Sequence, residues 1–464
     1  MNAPPKSDAP VAASLARFAV ETSRKPLPDA VRETVRLLLL DVAGLCLAAR
    51  DTDYVRAGLA SVASEGRCTA LGHPGGLGPY DAALVNGLAA HGEDFDDTFE
   101  GGPVHAGAVV VPAVLAIAEH RGLSGDAVLR GVAVGTELMC RLSLVAPQAI
   151  HKAGFHPTAV LGAPAAAAAV CAALGLDGTQ TLNAIGTSGS LASGIIEYLS
   201  DGSWTKRLHA GAAAQAGIRA ALLAEGGFFG PSTVLEGKHG FYKAFAPSRA
   251  PDFAPLLDGL GERWVLQDIA FKPYACGTMT QPFVDCAVKL AAQGVSPEDV
   301  VAIECRVGEG TVHRLWDPIA LKRRPPNGYA AKFSTPYCIA VGFIDGKAGL
   351  EQFTEERVRD ERVLALAATV SYVVDPEDEY PRNFTGHIRA TLRDGSVREV
   401  TKGHMRGGAR EPLTAADIRA KFDDNARFGG WTEAAALAEA LDRIAAGGSV
   451  DLAAGRAGQK ETRP

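Results

Sequence analysis

Between Asp29 and Glu225 the sequence repeats one pattern: apolar residues at three- and four-residue intervals, then a break at Gly, Pro or Asp. The pattern opens after Pro28 with DAVRETVRLLLLDVAGLCLAAR. Further helices are predicted over Tyr80–Asp94, Ala106–Arg121, Gly125–Ser143, Thr158–Leu174, Thr179–Ala192 and Leu208–Glu225. Strand-like alternation is nearly absent before Trp264. A chain written this way must bury helix against helix. Its abundant Ala and 52 Gly suit helices that pack closely through small side chains.

The texture changes after Trp264. VLQDIAFKPYA reads as an extended stretch that stops at Pro273. Val300–Val307 alternates as a strand does, and Ala367–Val374 is rich in β-branched residues. His387–Thr401 predicts a hairpin turning at Asp394-Gly395. Helices fit near Thr280–Gln293 and Tyr337–Asp345, so this part is an α+β domain. From Ala415 the helical pattern returns, in AADIRAKFDDNAR and TEAAALAEALDRIAAG.

Length agrees with more than one domain: 464 residues exceed the ~250–300 at which single cores stop growing. The net charge of −7 shows no sign of the basic face a nucleic-acid binder needs, while a local cationic pocket for small anions stays compatible with it. The N-terminal stretch MNAPPKSDAPVAAS is polar and lacks the apolar core of a signal peptide. Apolar runs such as Ala165–Leu176 read as too short and Ala-rich to span a bilayer, so a cytoplasmic, membrane-free protein is expected. The eight cysteines are scattered with no CxxC, which removes the common zinc and iron–sulfur spacings and leaves core thiols as the simplest reading.

Four segments carry candidate chemistry. In HGEDFDDT, from His91 to Thr98, Glu93, Asp94, Asp96 and Asp97 crowd together. If the helix from Tyr80 continues, His91, Asp94 and Thr98 share one face. Carboxylates this close repel, so at least one should be harder to ionise. The cluster alone allows a divalent metal site, a solvated helix end or one wall of an active site; it does not match an EF-hand loop. His105 follows the Gly101-Gly102-Pro103 break at the mouth of a new helix, where an imidazole can act as acid or base. In GFHPT, Pro157 bars helix before it, so His156 stands at a helix N-terminus, an end that attracts carboxylates. In DGSWTKRLHAG, Lys206 and Arg207 are suited to gripping carboxylates, or form a solvated basic turn. In FKPYACG, Lys272 precedes a Pro at the change of texture, a cleft position, and Cys276 reads as a structural or pocket-lining thiol.

Together these segments resemble the MmgE/PrpD family, which includes 2-methylcitrate dehydratases, cis-aconitate decarboxylases and iminodisuccinate epimerase. The resemblance runs from about Ala16 to Phe422. It is carried by NGLAAHGEDFDDT, His105 with VVVPAVLAIAEH, GFHPTAVLGAPAAAAAV, DGSWTKRLHAGAAAQAG, GFFGPSTVLEGKHGF, FKPYACGT and KFSTPYCIAVGFIDG, in that order. It implies a mainly α chain with an α+β second domain: an all-helical domain built from residues 1–268 and 408–464, and an inserted α+β lid over 269–407. It also implies a homodimer, no metal and no organic cofactor, and a polycarboxylate pocket between the domains. Carried over, that pocket would use Asp94, His105, His156, Lys272 and Tyr337 as catalytic residues, with Thr98, Lys206 and Arg207 binding substrate. The chain departs from the family at Thr280-Gln281-Pro282, where Thr-His-Pro is common. Gln281 joins the binding set, but an amide cannot carry a proton as imidazole does. The usual HPS is here His105-Ala106-Gly107.

The chemistries of the family share one problem, a carbanion next to a carboxylate. Cations must hold the carboxylates and take up the developing charge, which suits Lys206, Lys272 and Arg207. His156 or His105 would exchange the carbon proton, with Asp94 orienting its partner and Thr98 and Tyr337 hydrogen-bonding the substrate. The leading expectation is a 2-methylcitrate dehydratase-like hydro-lyase. A cis-aconitate-type decarboxylase, a dicarboxylate epimerase or isomerase, and a non-catalytic carboxylate-binding protein are the alternatives.

Overall fold

A computed structural model describes residues 9–457 of the chain. They divide into two compact units. One holds the chain up to Gly92, Gly101–Ile269 and the chain from Ile418 onward; the other holds Glu93–Glu100 and Ala270–Asp417. The first is almost entirely helical, with one short strand at Glu65–Cys68, and draws on both ends of the chain; the second combines helices with a small sheet, so the fold is mainly α with an α+β second domain.

At the centre of the helical unit lies Pro157–Leu174, buried from Thr158 to Ala173. Its Ala-rich sequence offers no polar face, so it needs helices all round. Gly125–Val145, Thr205–Glu225, Ala106–Arg121 and Gly178–Ser188 supply them. Among the described residues it is the one helix long and apolar enough to cross a bilayer, and it is buried inside this unit. Small residues set how near its neighbours come. A Cβ on Gly217 would lie 2.3 Å from that of Ala166. Between Pro79–Gly92 and Thr205–Glu225 backbone meets backbone: a Cβ on Gly87 would lie 2.6 Å from Gly211 Cα, and one on Gly211 2.3 Å from the Leu84 carbonyl oxygen.

Two buried ion pairs tie distant segments to this bundle. Arg141 and Glu137 meet at 2.6 Å on one helix. Arg141 also donates to the carbonyls of Pro255, Leu256, Asp258, Gly259 and Arg263, while Glu137 accepts from the Leu266 N–H. The pair thereby satisfies the polar backbone of a stretch with little regular structure. Lys421 pairs with Asp41 at 2.8 Å, and next to it Phe422 lies against Gly44. Helix Ala415–Phe428 is thus docked on Asp29–Ala49, which is how the chain end rejoins the bundle.

In the α+β unit the strand order is Val370–Val374, Val300–Val307, Gly386–Leu392, Val397–Lys402. The first pair is parallel and the other two antiparallel. A parallel pair cannot be closed by a tight turn. The connection here runs through several helices, including Thr335–Asp345 and Glu361–Ala368. The hairpin does turn at Asp394-Gly395, with Gly395 at φ 83°. Helix Gln281–Ala292 packs on both hairpin strands.

Three local expectations fail. Helix Pro79–Gly92 stops short of Asp94, whose φ of 55° is left-handed and incompatible with continuing it. Thr98 opens the short strand Thr98–Phe99, so His91, Asp94 and Thr98 do not share a helical face. The stretch from Val265 is a turn of 3₁₀ helix to Asp268 followed by only two extended residues, Ile269–Ala270.

Gly211→Val, which drives a branched side chain into the Leu84 carbonyl, is expected to lower stability by about 1–3 kcal/mol in urea unfolding. An unchanged unfolding midpoint would show that the helices are not held in contact there.

Candidate active site

Four buried imidazoles gather inside the helical unit: His91, His105, His156 and His209. Each is set by the end of a helix. His91 lies in the last turn of Pro79–Gly92. His105 precedes Ala106–Arg121 as its N-cap, and its backbone N–H donates to Thr158 Oγ1 at 3.3 Å. His156 is the N-cap of Pro157–Leu174, with Pro157 preorganising the first turn. The His156 backbone N–H donates to the Gly194 carbonyl at 2.9 Å. His209 sits near the start of Thr205–Glu225.

The rings are in mutual contact. His91 and His105 have centroids 4.9 Å apart, His91 and His156 stack at 5.6 Å, and His156 and His209 stand at 5.3 Å. The Nδ1 atoms of His156 and His209 are 3.1 Å apart, within hydrogen-bond distance. Tyr198 meets both of these rings edge-on.

Three helices begin at this cluster, and the partial positive charge of their N-termini adds to that of half-buried Lys206. Such a field repels a proton on imidazole and attracts carboxylate. Burial first, then His91, Lys206, His209 and His105, push the His156 imidazole well below its ordinary range. Burial, His91 and Lys206 bring His209 down to about 4. Both rings are therefore neutral at neutral pH, able to accept or relay a proton, in a place that favours an anion.

The acidic segment belongs to the other unit. There Lys272 Nζ donates to the Asp94 carbonyl at 2.8 Å and lies 3.5 Å from its carboxylate, both side chains being buried. This grip on the backbone accompanies the left-handed turn at Asp94. Lys332 does the same for Glu93, reaching its carbonyl at 2.7 Å and its carboxylate at 2.5 Å. Asp96, Asp97 and Thr98 are fully buried.

Other residues singled out in the sequence make backbone contacts. Arg207 Nε donates to the Gly92 carbonyl at 3.1 Å, and its guanidinium lies over the Tyr54 ring. The Gln281 amide accepts from the Tyr274 N–H and donates to the carbonyls of Tyr274 and Cys276. Tyr337 donates its hydroxyl to the Gln352 carbonyl at 2.7 Å. All eight cysteines are buried free thiols.

The structure thus gathers His105, His156 and Lys206 in one unit and Asp94 with Lys272 in the other. Sequence reasoning passed over His209 and Lys332. His209 had a signal: it falls three residues after Lys206, on the same side of a helix. Lys332 had none, since its partner lies far away in the chain.

Family models match the chain twice, as the MmgE/PrpD N-terminal domain over residues 13–254 and the MmgE/PrpD C-terminal domain over residues 274–444. The chain is 29% identical over 444 residues to a cis-aconitate decarboxylase of Aspergillus terreus, covering 89% of this chain and 88% of that protein. It is 32% identical over 361 residues to a cis-aconitate decarboxylase of Mus musculus, covering 75% and 72%. A mitochondrial 2-methylcitrate dehydratase of Yarrowia lipolytica is 25% identical over 266 residues, covering 53% and 49%.

The depressed imidazoles set a pH dependence. Between the ordinary value of 6.5 and about 4, an unfolded histidine binds protons that folded His209 refuses. Their contribution to stability is therefore present above 6.5 and lost as pH falls toward 4. The thermal midpoint should drop through that window, and less steeply in His209→Gln. Equal slopes for the two proteins would contradict a depressed His209.

Proposed function

The chain belongs to the MmgE/PrpD family, and on that premise we propose that it is a lyase that moves a proton at a carbon next to a carboxylate of a small polycarboxylate. One observation carries this reading: buried neutral imidazoles gathered where three helix N-termini and Lys206 create a field for anions. A lyase of this kind needs both, since the electron pair left on carbon must spread into a neighbouring carboxylate while a proton is delivered or removed.

Decarboxylation of a cis-aconitate-like tricarboxylate is the preferred reaction. It is supported by similarity to cis-aconitate decarboxylases along 89% of this chain. In this reading the bond from carbon to one carboxylate breaks, carbon dioxide leaves, and its electron pair is taken up as an enolate of a remaining carboxylate. A proton then closes the new C–H bond, so one proton is consumed per turnover. Lys206 holds a carboxylate, and His156 or His105 delivers the proton. Asp94 and Lys272 are proposed contributors as a buried ion pair, and Thr98 as a substrate contact. Arg207, Gln281 and Tyr337 are read as holding backbone. Dehydration of a 2-methylcitrate-like hydroxy acid is the second reading. It is favoured by a neutral imidazole fit to abstract a carbon proton and by the shorter similarity to a dehydratase. In that reaction a proton and a hydroxide leave as water, with no net proton uptake.

Incubation with a panel of polycarboxylates, followed by product mass, separates the readings. Loss of carbon dioxide from cis-aconitate is expected; loss of water from a hydroxy acid alone would replace it with the second reading, and no turnover of any member would overturn both. His156→Ala should cut kcat about 10²–10⁴-fold. Lys206→Met should raise KM about tenfold, the scale of one lost charged contact.

A homodimer is the proposed assembly. Exposed Ile195, Leu199, Trp204 and Phe229 in the helical unit are apolar surface that a second copy would cover. Light scattering should give twice the chain mass, and a monomer at working concentration would overturn the assembly.

A further inference from the structure

The 3.1 Å contact between His156 Nδ1 and His209 Nδ1 imposes a pairing rule. Both rings are neutral near neutral pH, held so by burial and by the facing His91, His105 and Lys206. A neutral imidazole carries one N–H. One ring must therefore donate its Nδ1–H, and the other must accept at Nδ1 and keep its own proton on Nε2. Tyr198, edge-on to both rings, helps fix their planes. Gly194 borders the far side of the pair. Its carbonyl accepts from the His156 backbone, its φ is 121°, and a Cβ there would lie only 3.4 Å from His209 Nε2. With no side chain at Gly194, the space beside His209 Nε2 that another residue would fill is left free of side-chain atoms from that position.

From this geometry we propose that His209 is a positioning residue that sets the tautomer of His156 and relays its proton to water. The proposal rests on the reading of His156 as the proton-transfer group. In the resting pair His156 donates from Nδ1, so its Nε2 lone pair is the base. When His156 takes a proton from carbon at Nε2, its Nδ1–H bond breaks as an Nδ1–H bond forms on His209. The Nε2–H bond of His209 then breaks, releasing that proton to water. One proton enters, one crosses and one leaves, and neither ring ends as a cation. Delivery of a proton to carbon, as a decarboxylation requires, runs the same steps in reverse from the swapped tautomers, His156 protonated at Nε2 and His209 at Nδ1: water reprotonates His209 Nε2, and exchange with water resets the pair between turnovers. The relay avoids lodging an imidazolium beside Lys206 and three helix N-termini, the least favourable place for it.

The test has two arms. In ligand-free protein with ¹⁵N-labelled histidine, two-bond ¹H–¹⁵N spectra at pH 7 should show His156 protonated at Nδ1 and His209 at Nε2. The same tautomer on both rings would overturn the proposal, and this arm needs no substrate, so it does not depend on which reaction the protein catalyses. In turnover, His209→Phe should lower kcat about 10- to 100-fold while KM stays within about twofold. His209→Gln can still accept the His156 Nδ1–H but cannot pass a proton on. It should keep the His156 tautomer in the spectra and leave kcat low. If His209→Gln restores full kcat with an unchanged pH profile, the relay is wrong. Thermal melting of both variants separates a folding defect from a lost proton path. Opposite tautomers in a protein that turns over no polycarboxylate would count against the proposed reaction and not against the pairing.

Discussion

The histidine cluster depends on how closely helices Pro79–Gly92 and Thr205–Glu225 meet. At Gly87 and Gly211 their backbones are separated by less than a methyl group would need. His91 lies one turn beyond Gly87, and His209 two residues before Gly211. The close approach therefore places both rings on the same end of the bundle, next to the start of Pro157–Leu174 that carries His156. Interiors packed to crystal density transmit displacement, so a helix pushed outward by even one methyl group would separate the imidazoles.

That placement carries an electrostatic cost which the fold accepts. Imidazoles at the beginning of helices, beside Lys206, lose basicity and gain nothing in stability from being titratable. Elsewhere the bundle handles buried charge by pairing it, as at Arg141–Glu137 and Lys421–Asp41. Those pairs hold irregular or distant segments in place. The cluster is different in kind: several like groups gathered ring against ring in a field that welcomes an anion. A cost of this sort without structural return is characteristic of a functional site.

Much of the fold was legible in the sequence. The helix at Ala106–Arg121 matches its periodicity from end to end, and the strand Val300–Val307 and the Asp394-Gly395 hairpin follow from alternation and turn chemistry. These features are local: spacing of apolar residues and the φ preferences of Gly and Pro decide them within a dozen residues. The end of the helix at Gly92 was not legible. Asp94 adopts a left-handed backbone that its own side chain does not call for, and the Lys272 ammonium that grips its carbonyl comes from a remote segment. Gln281 and Tyr337 stand in conspicuous motifs, but their polar atoms are engaged by backbone brought near through folding.

The sequence by itself determined the class of fold, the inventory of imidazoles and cations, and the helix starts that orient His105 and His156. Those follow from hydrophobic period and from Pro and Gly, which act on neighbouring residues alone. Only the tertiary structure decided which of those groups meet. It put His209 3.1 Å from His156, across 53 positions of chain, and gave Glu93 to Lys332, across 239. Such pairings are set by the depth to which small-residue helices interpenetrate and by which buried charge finds a partner, and neither quantity is written in the spacing along the chain.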